Sequence, residues 1–231
     1  MSGTPFFNAR PVLGALCATL IAATLASCQT VTTAPADTNL NGSWRLDKSA
    51  SDDPDAKVAT VMNTAEVKLH KRLASYGYGP DDARDLSAEA GDTAPDAPDY
   101  SYDTPGDRFG GPGRVGPDFR GLRLRLRQAL IRPNVMQLEV KGDLVSITSD
   151  DLPPRSYELG ERISRFDEYG TAVITATWSK QEFDLNSRYT SHASRSEAYL
   201  VDPLTGALIL TQTINDPTIG RVIVHSTYRR S

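Results

Sequence analysis

Cysteine is nearly absent from this 231-residue chain, which holds only Cys17 and Cys28. Both lie within the first 28 residues, so the remainder can carry neither a disulfide framework nor a thiolate metal site. Histidine is scarce as well: His70, His192 and His225 are the full set. No two of them stand three or four residues apart, and there is no H-E-x-x-H run, so zinc has no ready ligand pair. His192 or His225 could belong to a Ser/His arrangement, but no G-x-S-x-G elbow or comparable signature accompanies them. Positive charge is not in excess either. Twenty-five Lys and Arg against 29 Asp and Glu give a formal net charge of −4, which argues against a nucleic-acid partner. A single long apolar run exists, Pro11 to Ala26, too short and wrongly flanked for a membrane span. No catalytic residue, metal ligand or cofactor site is assigned from the sequence.

What the chain does have is strand pattern, concentrated in residues 134–230. Met136, Leu138 and Val140 alternate with Gln137, Glu139 and Lys141, the period of a strand buried on one face. Gly142-Asp143 supplies a turn before Leu144 to Thr148, which makes a hairpin. Ala172, Ile174, Ala176 and Trp178 share a face, followed by Phe183, Leu185, Ser187 and Tyr189. Ala198, Leu200 and their neighbours form a further strand. Leu208 and Leu210 head the next, and Val222, Val224, Ser226 and Tyr228 the last. Units this short, with no helix-length gaps, imply antiparallel pairing. A sheet of that kind must curl on itself or be covered, so the expected fold class is mainly β: an antiparallel meander forming a barrel or strongly curved sheet.

Two helices are expected between the first strand and the meander. Asn41 to Leu46 reads as a short strand. Asp53 as N-cap and Pro54 at the first helical position then open a helix over about 54–76. Val58, Met62, Ala65, Leu69 and Leu73 form its apolar stripe. From about 80 to 117 the composition turns to Asp, Pro, Gly and Ala, an insert unable to bury enough apolar surface to offset its ordering. Phe119, Leu122, Leu126, Ala129 and Leu130 fit a second helix over about 119–131. The alternation Leu122 to Arg127 also admits a strand, but the continuation through Gln128-Ala129-Leu130 favours helix.

At the N-terminus, Arg10 precedes the apolar run, which ends in Leu25-Ala26-Ser27-Cys28. This resembles the lipobox of bacterial lipoproteins. The resemblance implies a signal peptide of residues 1–27, diacylation of the Cys28 sulfur and a mature chain that begins there. Two or three acyl chains anchor stably, since each buried CH₂ contributes about 0.8 kcal/mol. Gln29 stands where an Asp would direct inner-membrane retention, so the resemblance favours the periplasmic face of the outer membrane. Residues 28–40 read as a flexible tether and 41–231 as one β-rich domain.

Three local patterns invite a site. Gly111 to Gly116 matches G-x-G-x-x-G, but no buried strand precedes it and no βαβ unit follows, so it reads as a loop. Arg120, Arg123 and Arg127 would fall on adjoining turns of the second helix, a ridge able to take phosphate, lipid headgroups included, or simply a solvated face. Gly42-Ser43-Trp44 on the first strand, with Arg229 and Arg230 on the last, resembles the G-x-W and late-Arg pair of lipocalins and other calycins. That resemblance implies a structural role for Trp44 and Arg229: an arginine packed on the indole closes one end of the barrel. The wording G-S-W-R-L-D-K-S ahead of a β-rich half also looks like a group of uncharacterised exported bacterial proteins. The expectation is therefore an envelope lipoprotein with a non-catalytic binding or structural role, its partners the membrane and an envelope protein. A carrier with a barrel cavity for a lipid-like ligand is one alternative, and a cryptic envelope hydrolase is another.

Overall fold

A computed structural model describes residues 33–35, 38–76 and 117–231. The leader, the lipobox, the G-x-G-x-x-G loop and nearly all of the acidic insert lie outside those residues. Strand β1 spans Gly42–Leu46, and a 3₁₀ turn at Lys48–Ala50 follows it. Helix α1 covers Pro54–Ser75 and α2 covers Phe119–Ala129. Nine strands complete the domain. They are β2 (Val135–Lys141), β3 (Leu144–Ser149), β4 (Arg155–Glu158) and β5 (Arg162–Asp167). After them come β6 (Gly170–Ser179), β7 (Glu182–Tyr189), β8 (Ser194–Val201), β9 (Leu208–Asp216) and β10 (Gly220–Arg230).

The ten strands make one antiparallel sheet in the order β4-β3-β2-β1-β10-β9-β8-β7-β6-β5. Every hairpin joins sheet neighbours, and the one excursion is the pair of helices between adjacent strands β1 and β2. The fold is thus mainly β, a strongly curled sheet with two helices inserted after its first strand. Its free edges are β4 and β5, linked directly by residues 159–161. Curling brings the sheet's ends together there: Leu159 bridges to Ala176 of β6, and Gly160 N–H donates to the Ala176 carbonyl at 2.8 Å. Beyond that point β4 and β5 are not paired.

Local chemistry accounts for the helix starts. Asp53 accepts a hydrogen bond from Asp55 N–H with Pro54 at the first helical position, and Asp118 accepts from Gly121 N–H, both ordinary N-caps. α2 ends at Ala129: Leu130 N–H still donates to the Leu126 carbonyl, and the next amide, Ile131, tightens to the Gln128 carbonyl three residues back. Two apolar clusters result. Inside the curl, Trp44, Trp178, Phe183, Tyr199, Leu208 and Tyr228 pack among the inward aliphatics of β2, β3 and β6. At the other end of β9 and β10, Val58 and Met62 of α1 and Leu122 and Leu126 of α2 pack on Ile214, Val222 and Val224. Among the described residues no helix is long and apolar enough to cross a membrane.

Two features depart from the sequence reading. β4 and β5 were not expected as strands. In β8, for which the sequence offered only Ala198, Leu200 and their neighbours as a strand, the inward face is Arg195, Glu197 and Tyr199, because Tyr199 stands opposite Phe183 on β7 and Leu210 on β9.

Candidate functional site

The inward face of β8 carries a residue that a barrel core ordinarily rejects. Glu197 is 5% exposed and flanked by Arg195 two residues before it and Tyr199 two after, all on one face by the strand's period. Arg195 Nη2 lies 2.6 Å from Glu197 Oε1, and the Tyr199 hydroxyl donates to Oε2 at 2.6 Å. Arg155 reaches across the curl from edge strand β4, its Nη1 3.4 Å from both carboxylate oxygens and its Nη2 3.4 Å from the Tyr199 hydroxyl. Arg195 also contacts Glu168, Nη1 to Oε1 at 3.4 Å. One buried carboxylate therefore holds two guanidiniums from strands distant in the sheet.

Electrostatics follow from that geometry. Burial alone would raise the Glu197 pKa, but Arg155, Arg195 and the Tyr199 bond outweigh it and hold the carboxyl at about 2. The Glu197 charge raises Arg155 in turn, and burial followed by the same charge drives Tyr199 well up. A second acid, Asp167 at the end of β5, accepts from the Tyr189 hydroxyl at 2.6 Å and from Tyr169 N–H at 2.9 Å. Burial, then the Asp167 bond, raises Tyr189.

The charged members of this group line a cleft of about 170 Å³ between β4 and β5, floored by β7 and β8 and bordered by the end of α2. Its charged walls are Arg155, Arg165, Arg195, Asp167, Glu168 and Glu197. Arg165 sits with its guanidinium carbon 5.8 Å from the centre of the Tyr157 ring, a cation–π arrangement. Away from the cleft, Trp178, Phe183 and Tyr199 pack as tilted rings at centroid distances of 6.0 and 5.7 Å, and a second cavity of about 20 Å³ lies among Met136, Ile147 and Leu210.

The residues picked out from the sequence lie elsewhere. Arg123 pairs with Glu66 at 3.3 Å and Arg127 with Asp55 at 2.8 Å, so both tie α2 to α1, while Arg120 is exposed. Trp44 is fully buried and donates from Nε1 to the Leu40 carbonyl at 2.9 Å. The arginine over its ring is Arg230, at 5.0 Å, which also donates to the Asn39 and Asn41 carbonyls. Arg229 turns to the outer face and pairs with Asp47 at 2.7 Å. His225 Nδ1 lies 3.1 Å from its cross-strand neighbour Thr211, on the outer face and remote from the cleft. His192 occupies a turn at φ 65°. Cys28 is outside the described residues. Among those residues no three of His, Cys, Asp and Glu gather as a metal site.

The sequence reading missed Arg155, Arg195, Glu197 and Tyr199. The available signal was R-x-E-x-Y inside a strand, whose charges must all face inward once register places Tyr199 in the core.

No protein-family model matches the chain, and no curated protein matches it. Among solved structures, a mutant of the REP1-NXSQ fatty acid transporter shares 11% identity over 84% of this chain and 98% of its own, with a TM-score of 0.41. A secretary abundant heat soluble protein from Ramazzottius varieornatus shares 12% over 84% and 97%, also at 0.41. The zebrafish ileal bile acid-binding protein with cholic acid shares 13% over 42% and 72%, at 0.33. With likeness this faint, the fold class rests on the strand order and register above.

Proposed function

We propose that this chain is a lipid-anchored, non-catalytic binding protein of the bacterial outer membrane that takes its ligand in the charged cleft between β4 and β5. The observation that carries the reading is the cleft itself. The curl closes at Leu159–Ala176 and parts beyond it, exposing a polar recess between its two edges. A buried Glu197 held by two arginines and a tyrosine is costly to desolvate unless every lone pair is met. Such a group is a fixed, preorganised wall, suited to positioning a polar ligand. The address rests on the resemblance of Leu25-Ala26-Ser27-Cys28 to a lipobox, with Cys28 as the acylated residue.

A lipid-like cargo is the second reading, favoured by the apolar stretch of the cleft wall at Leu152, Ile174 and Leu185. Ligand pockets for drug-sized molecules run to about 300–1,000 Å³, so a long chain would require this cleft to widen.

Native mass spectrometry of residues 29–231, purified gently from a bacterial periplasm, tests the binding role. A small co-purifying polar molecule supports it, and a long-chain lipid moves the assignment to the carrier. An apo mass from several preparations would remove the support for either. The anchor is tested separately by the intact mass of the full-length gene product from membranes: a diacylglyceryl adduct on wild type, absent from Cys28→Ser, is expected.

A further inference from the structure

Within that cleft, and resting on the reading of it as a binding site, we infer that the ligand is a small organic anion: a carboxylate carried on a ring or short chain. The hydrogen-bonding capacity of the walls is lopsided. Formal charges balance, three arginines against three acids, yet the acids are already engaged. Glu197 is held by Arg155, Arg195 and Tyr199; Glu168 meets Arg195; Asp167 accepts from the Tyr189 hydroxyl and the Tyr169 amide. The donors are not exhausted. Among the described residues no carboxylate lies within ion-pair distance of Arg165, whose exposed side chain lines the cleft. What the cleft lacks is an acceptor.

The position of Arg165 suits it to supply the contact. Its guanidinium carbon lies 5.8 Å from the Tyr157 ring centre, a cation–π distance that holds the group over the cleft wall. A guanidinium so placed has the fork of donors that binds a carboxylate bidentately. Ile131, Leu152 and Pro153 form an apolar shoulder beside these donors. That pairing fits an acid with an apolar body better than bare phosphate. Size sets the upper bound, because about 170 Å³ falls below the roughly 300–1,000 Å³ of pockets that take drug-sized ligands. A ring or short chain fits; a long acyl chain does not.

The test is equilibrium dialysis of the full chain, solubilised from membranes, against benzoate and its neutral isostere benzamide. Wild type should retain benzoate and not benzamide. Arg165→Gln, a substitution on an exposed edge-strand side chain, should weaken benzoate by about tenfold or more, the loss of one charge-assisted contact. Leu152→Trp, which fills the shoulder, should abolish retention. Equal retention of benzoate and benzamide would overturn the anion while leaving the cleft as a ligand site. Benzoate retention unchanged in both variants would place binding elsewhere. A neutral molecule co-purifying with wild type, with no retention of benzoate, would likewise overturn the anion and spare the binding role.

Discussion

Glu197→Gln is the perturbation that most directly interrogates the architecture, because one carboxylate pairs with two guanidiniums in the curl. The substitution keeps volume nearly constant and removes the charge. Arg155 and Arg195 side chains are 20% and 16% exposed, so neither is free to find water without disturbing the β4 edge. The new amide also presents donors toward donors. Breaking a buried ion pair from one side costs about 3–5 kcal/mol, and two cations share this partner, so the upper part of that range is expected. For a domain whose total stability is of order 5–15 kcal/mol, urea unfolding should show a large drop in midpoint at nearly constant slope. A loss under about 1 kcal/mol would refute the claim that Glu197 holds the two arginines.

Acid titration gives an independent reading of the same group. The folded pKa of about 2 lies below the ordinary 4.5, so the unfolded chain binds the proton more readily. The Glu197 contribution is fully present above pH 4.5 and is lost as pH falls toward 2. Its size is of order 3 kcal/mol at about 1.4 kcal/mol per unit. Wild type should therefore lose that amount between pH 5 and 2, while Glu197→Gln, already without it, should show a flatter profile. A double cycle of Arg155→Met and Glu197→Gln should give a coupling energy above about 1 kcal/mol, as contacting residues do.

Other substitutions probe different parts of the sheet. Asp184 is half-buried on the outer face of β7, its pKa raised to about 6 by burial first and then by Glu182. A raised acid takes stability away as pH climbs from about 4 through 6. Asp184→Asn should thus gain about 1 kcal/mol at pH 7.5, after discounting for solvent screening, and nothing at pH 4; equal gains at both would contradict the assignment. Lys180 turns the chain between β6 and β7 at φ 57°, so Lys180→Gly should raise the unfolding free energy slightly, by about 0.5 kcal/mol net of the added unfolded-state entropy. Arg230→Ala should cost about 1–2 kcal/mol through the lost indole contact and carbonyl bonds. Arg229→Ala removes a pair in which the arginine is 75% exposed and should cost about 0.5 kcal/mol or less. The reverse order would mean that Arg229, and not Arg230, closes the Trp44 end.

Where inward positions are apolar, the fold could be read directly from sequence. Met136 and Leu138, then Ala172 through Trp178, then Val222 through Tyr228, are buried in the alternation that marks them as strands. Helix α1 announced itself through Asp53-Pro54 and its 3–4 stripe. The pattern failed at β4 and β5, whose inward residues include Arg155, Arg165 and Asp167, and it left the face of β8 undefined, where Arg195 and Glu197 alternate with Ser196 and Ala198. These are the strands that line the cleft. A period-2 rule equates polar with outside, so it must fail where polar side chains are turned inward to meet one another or a ligand. Register resolves the conflict: Phe183 and Leu210 flank Tyr199 on both neighbouring strands, which commits Glu197 and Arg195 to the interior whatever their hydropathy. The departures from alternation thus coincide with the cleft because its charged walls are what cause them.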